Sequence, residues 1–155
     1  MPGNNPREFL SYDSREKDWL NSAKEELGEN FVDRVLSFER MDPEAFKAFH
    51  ERLKKFIQNR KEINPSRMRK VYEVIRGAES LPELLLALPK LAYMVGKEEK
   101  KNLKNDLGVL YTVLAESINR ARDAKDLQSI RKFTEALVAY HKFYADSKDR
   151  GGRER

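Results

Sequence analysis

The sequence predicts an all-α protein, a single-domain bundle of six or seven helices. Three observations predict it. The stretch Ser129–Tyr144, wound at about 100° per residue, is apolar almost all round. Leu127, Ile130, Phe133, Thr134, Leu137, Val138, Tyr140, His141 and Tyr144 share one broad arc, and Ala136, Ala139 and Phe143 lie opposite. Only Arg131, Glu135 and Lys142 form a narrow charged seam, so this helix should be central, with neighbours on two sides. The second observation is the spacing of start and stop signals: Asp42-Pro43, Asn64-Pro65-Ser66 and Ser80 with Pro82 each pair a capping residue with an early proline. The third is that no run of residues alternates apolar with polar, so no strand is expected.

Each element follows in order. Residues 1–12, rich in Pro, Gly and Asn, read as a flexible start. Asp13 with Glu16 resembles a capping box; Trp19, Leu20, Ala23 and Leu27 follow at helical spacing, and Gly28 stops the helix. A short helix runs from about Asn30 to Glu39. After Asp42-Pro43 come Phe46, Phe49, Leu53, Phe56 and Ile57 in one stripe, with Arg60 mostly off it. Met68, Val71, Tyr72, Val74 and Ile75 form the buried side of the next helix, which Gly77 ends. The helix Leu81–Val95 contains Pro89, which removes a hydrogen bond to the Leu85 carbonyl and should kink or break it. Lys97 to Lys101 reads as a solvated turn or a first helical turn. A long helix over about 100–122 carries Leu103, Leu107, Leu110, Leu114, Ile118 and Ala121. Asp126 caps the last helix. The bundle domain spans 13–145, and 146–155 reads as a disordered charged tail.

Composition narrows the function. Charged residues make up 37% and the net charge is +5. Residues 1–63 hold 12 basic and 13 acidic side chains, residues 64–155 hold 19 and 13, so the excess lies in the second half. That favours a polyanionic partner. Cysteine is absent, which excludes disulfides, thiol catalysis and cysteine-ligated metals. No signal peptide and no membrane span is expected, and the reading is a soluble cytoplasmic protein. The two histidines, His50 and His141, stand on different helices without a metal or acid–base motif, so no catalytic residue, metal or cofactor is expected.

Three segments then carry a resemblance: Ser66-Arg67-Met68-Arg69-Lys70-Val71-Tyr72, Leu88-Pro89-Lys90-Leu91-Ala92-Tyr93-Met94-Val95-Gly96, and Phe133-Thr134-Glu135-Ala136-Leu137-Val138-Ala139-Tyr140-His141-Lys142-Phe143. In this order and spacing the chain resembles the small subunit of the Csm complex, the type III-A CRISPR interference effector, over roughly residues 63–145. The resemblance implies a non-catalytic helical subunit. It also implies that several copies line the inside of the complex beside guide RNA and target RNA, with other Csm subunits as partners, and that cleavage belongs to a neighbouring backbone subunit. Residues 1–62 carry no part of it.

The candidate RNA contacts are Arg67, Arg69, Lys70, Lys90, Tyr93, Lys97, Arg131 and Lys142. Lys90, Tyr93 and Lys97 at i, i+3 and i+7 share a helix face; two cations beside a ring suit phosphates and a stacked base, and equally a solvated face with an inward tyrosine. Arg67, Arg69 and Lys70 crowd the start of a helix, where cations oppose its dipole; they serve a phosphate backbone or a solvated surface. Arg131 and Glu135 form an i,i+4 pair, and Lys142 extends the seam. His141 reads first as a buried imidazole bonded to a backbone carbonyl or a tyrosine, and second as an RNA contact. The second apolar side of the last helix, Ala136, Ala139 and Phe143, predicts self-association, most simply a homodimer. The expected function is RNA backbone binding without sequence preference. The alternative is a helical protein–protein adaptor with incidental basic charge.

Overall fold

The computed structural model describes residues 14–153, with side chains through 145. The expected flexible start at 1–12 lies outside the described residues. Seven helices and no strand are present among the described residues. They are α1 (Ser14–Leu27), α2 (Phe31–Leu36), α3 (Pro43–Asn59), α4 (Pro65–Arg76), α5 (Leu81–Gly96), α6 (Lys101–Arg120) and α7 (Ala124–Arg153). The last helix thus runs past residue 145; side chains of 146–155 lie outside the described set, and the charged tail stays an expectation.

The caps explain the boundaries. Asp42 accepts the Ala45 N–H at 3.0 Å, Asn64 the Arg67 N–H at 2.8 Å and Ser80 the Glu83 N–H at 3.3 Å. Each is followed by proline in the first turn, where a missing N–H costs nothing. Gly28, at φ +105°, turns the chain out of α1 through a conformation that only glycine adopts without strain. At α7 the cap is Asp123, not Asp126: Asp123 accepts the Asp126 N–H at 2.9 Å, and Asp126 reaches back to the Arg122 N–H at 2.9 Å. The two carboxylates thus satisfy one N–H of the first helical turn and the N–H just before the cap. Helix α5 is not broken at Pro89. The proline and Leu85, whose carbonyl it leaves without a helix bond, are both exposed, and the helix continues to Gly96.

Two helices share the centre. Helix α7 packs against α2, α3, α4, α5 and α6, and buries Leu127, Ile130, Phe133, Thr134 and Leu137. Helix α6 packs against α1, α2, α5 and α7 and is buried over more of its length, including Gly108, Val109, Val113, Ala115 and Ser117 beside the expected leucine stripe. The second side of α7 is not enclosed: Ala139 is exposed and Phe143 is 59% exposed. Trp19 of α1 lies against Gly108, and its Nε1 donates to Asn105 Oδ1 at 3.2 Å.

Charge also enters the interior. Arg60, 6% exposed, donates to Glu26 Oε2 at 2.7 Å and lies 3.7 Å from Asp106 Oδ1. It ties the end of α3 to α1 and α6. Burial pushes the Asp106 carboxyl above its ordinary value, against the opposing pull of the Glu62 N–H and Arg60.

An aromatic cluster joins α3 to α7. His50 stacks on Phe38 at 5.5 Å between ring centroids and lies tilted against Phe46 at 4.2 Å, with the Tyr140 edge at 5.8 Å. Burial, then the charge of Lys54, holds the imidazole below its ordinary pKa of 6.5. The unfolded chain therefore takes up this proton first as pH falls. The stability held by neutral His50 is complete above about pH 6.5 and declines as pH drops through the folded pKa. Thermal melts at about pH 7.5 and 5.5 should show this decline. His50→Phe should flatten it, and an unchanged slope in that variant would remove His50 as the cause.

Candidate nucleic-acid interface

The short connection from Gly77 to Ser80 folds α5 back antiparallel to α4, as short helix links do. This brings together two groups that are separate in sequence. Lys70, Glu73 and Val74 of α4 face Pro89, Lys90, Tyr93 and Met94 of α5 across an open groove of about 630 Å³. Val74, Met94 and Pro89 give it an apolar lining, while Lys70 and Lys90 are exposed. Tyr93 is 69% exposed, and the Lys97 ammonium lies 5.7 Å from its ring centroid. A buried tyrosine at this site would read as packing; this one offers its ring to solvent beside cations. One acidic group, Glu73, partly offsets the lysines.

The other expected contacts are placed differently. Arg67 makes a two-pronged ion pair with Glu98, Nε to Oε2 at 2.7 Å and Nη2 to Oε1 at 3.2 Å. Glu98 is buried, so the stretch Lys97–Lys101 is not simply a solvated turn. The pair fastens the start of α4 to the α5–α6 turn and flanks the groove. Arg131 donates to the Arg76 carbonyl at 2.5 Å, closing the C-terminal end of α4. Glu135 meets Lys132 at 3.7 Å and receives the Tyr72 hydroxyl at 3.4 Å, in place of the expected pair with Arg131. Arg69 and Lys142 are exposed and do not line the groove. His141 is buried and bonds the Ile63 carbonyl at 2.7 Å, the first of its two expected roles. Glu73, Val74 and Met94 were not expected at the site. The signal for them was the four-residue link, which makes α4 and α5 neighbours and sets Lys70 opposite Lys90.

Among the described residues no group of His, Cys, Asp and Glu is placed to hold a metal ion, and no helix is long and apolar enough to cross a membrane. No curated protein and no solved structure matches the chain at a significant level. Over residues 14–147 the chain matches the family described as Csm2 Type III-A. The match covers α1 to α3, which the resemblance read from residues 63–145 had left out. With an all-helical fold of the expected class and a match over most of its length, the chain belongs to the Csm2 family and is a small subunit of a type III-A CRISPR complex.

Proposed function

We propose that this subunit acts without catalysis, in the cytoplasm, by holding the backbone of guide and target RNA in the α4/α5 groove. The observation that carries the reading is the meeting of Lys70, Lys90, Tyr93 and Lys97 at one open surface. Ammonium groups pair with phosphates of any sequence, and an exposed ring stacks on any base, so the site suits a strand whose sequence changes from guide to guide. Arg67 and Arg131, engaged with Glu98 and the Arg76 carbonyl, support the helices that carry the groove. Arg69 and Lys142 add positive potential outside it.

The isolated subunit should bind single-stranded RNA in about the micromolar range, with similar affinity for unrelated sequences. Changing Lys70, Lys90 and Lys97 together to Ala should weaken binding and make the log–log salt slope shallower by about 2, three contacts at roughly 0.7 each. Tyr93→Leu should cost about 1 kcal/mol or more of affinity through lost stacking. Helical content and melting temperature should stay near wild type, since these side chains are exposed. A folded triple variant with unchanged affinity and slope would move the RNA site elsewhere.

A further inference from the structure

One group in the α4/α5 groove is out of place for a site that holds phosphates. Glu73 lines it beside Val74, one turn after Lys70 and across from Lys90 and Tyr93. A carboxylate there repels a polyanion. It is exposed, and among the described residues it has no hydrogen-bond or ion-pair partner for its side chain. The position four residues on, where a cation would pair with it best, is Gly77, and Arg69, four residues before, stands in the weaker order. Glutamates that hold the fold together are engaged, Glu26 by Arg60 and Glu98 by Arg67. Glu73 is therefore spare, and a carboxylate can only accept hydrogen bonds.

We propose that Glu73 accepts the 2′-hydroxyl of a bound nucleotide and makes the groove select ribose over deoxyribose; this rests on the RNA reading above. Along a nucleic-acid strand the phosphates and ring oxygens only accept. The donors are the amino and imino groups of the bases, which differ from base to base, and the 2′-hydroxyl, which every ribonucleotide carries. In a site that holds any sequence, the hydroxyl is the donor that is always present. The spacing along α4 fits. Three residues of α-helix rise about 4.5 Å, less than the step between successive phosphates of an extended strand. A phosphate held at Lys70 therefore brings the adjoining sugar to Glu73 and not the next phosphate. Val74 and Met94 give that nucleotide apolar ground to lie on. With RNA, the hydrogen bond offsets the repulsion between carboxylate and strand. With DNA only the repulsion is left. Lys70, Lys90 and Lys97 attract either polymer, so one acid among them turns a general polyanion groove into an RNA groove.

Titration of the full chain with oligouridine, oligodeoxyuridine and 2′-fluoro-oligouridine of one length tests this. The fluoro strand keeps a ribose-like pucker and lacks the donor. Wild type should bind oligouridine about fivefold tighter than either of the others, the worth of one hydrogen bond at an open site. In Glu73→Ala the ratio should fall to near one, chiefly because oligodeoxyuridine binds more tightly. Glu73→Gln keeps an acceptor oxygen without the charge, so it should hold part of the preference. Both variants should keep wild-type helical content and melting temperature, since the side chain is exposed and unbonded. The assignment is overturned by equal wild-type affinity for oligouridine and oligodeoxyuridine, by a fluoro strand that binds as tightly as oligouridine, or by a preference that survives in Glu73→Ala. It is also overturned if Glu73→Ala and Glu73→Gln strengthen all three ligands by the same factor, for then the residue is a repelling charge and nothing more. Lys90→Ala judges the RNA reading separately. If that variant weakens all three ligands while wild type does not select among them, the groove binds nucleic acid and only the role of Glu73 fails. If wild type binds none of the three, the RNA reading fails and this inference with it.

Discussion

Gly108→Ala is expected to lower stability by about 2 kcal/mol or more, although alanine is the better helix former by about 1 kcal/mol. A Cβ at this position would lie 2.2 Å from Trp19 Cε2 and 2.4 Å from Cδ2 and Cζ2, well inside contact distance. The indole is buried against the α6 backbone and held there by Asn105, so neither the ring nor the helix yields cheaply. For a chain of this size the melting temperature should fall by about 5 °C or more. In a Trp19→Leu background the clash is gone and the propensity term is left, so Gly108→Ala should become neutral or stabilising. Equal effects of Gly108→Ala in the two backgrounds would mean that Trp19 does not set the requirement for glycine.

The second large effect is expected at Arg60. Arg60→Met keeps length and apolar contact but leaves Glu26 and Asp106 facing each other without their shared cation. Breaking a buried pair in this way costs about 3 kcal/mol, more than the net worth of the pair itself. The guanidinium also sits 4.8 Å from the Phe56 ring centroid, a contact that methionine partly replaces. Adding Glu26→Gln and Asp106→Asn should recover much of the loss, since no uncompensated charge then stays inside. The pH dependence has a definite sign. Asp106 has a folded pKa above its ordinary 3.8, so the folded state takes up this proton first and the penalty of its charge eases as pH falls towards that range. The deficit of Arg60→Met should therefore shrink in acid. Urea melts at two pH values would show it, and a deficit that grows in acid, or none at all, would contradict the account.

Much of the fold was legible because local chemistry decides it. Asp42-Pro43, Asn64-Pro65 and Ser80 cap helices through their own next turn, and the bounds of α3, α4 and α5 follow. Where two local signals compete, the reading slipped: Asp123 and Asp126 are both good caps, and their bonds to the Asp126 and Arg122 N–H groups assign the roles only once the turn is formed. Pro89 was read as a kink or a break because its lost hydrogen bond was counted, and the helix is not broken there because the site faces water. The groove was half legible. Lys90, Tyr93 and Lys97 share a face by helical period alone, but Lys70 joins them only through antiparallel packing.

By itself, then, the sequence determined the helical class, the starts of α3, α4 and α5, the absence of thiol chemistry and the family, all properties of neighbours within a turn or of composition. Tertiary structure decided which charges are surface and which are structural. Arg60, Arg67 and Glu98 look like any other solvated residues in a chain with 37% charged side chains. Their partners lie on other helices or, for Arg67, in the α5–α6 turn, from 31 to 46 residues away, so no local period reveals them. The same holds for Gly108, whose lack of a side chain has meaning only because Trp19, far off in sequence, occupies the space. Periodicity tells which face of a helix is apolar, and only packing tells which apolar face is covered. That is why Leu86 and Tyr93 of α5 stand exposed while the equally apolar Leu84 and Leu91 do not.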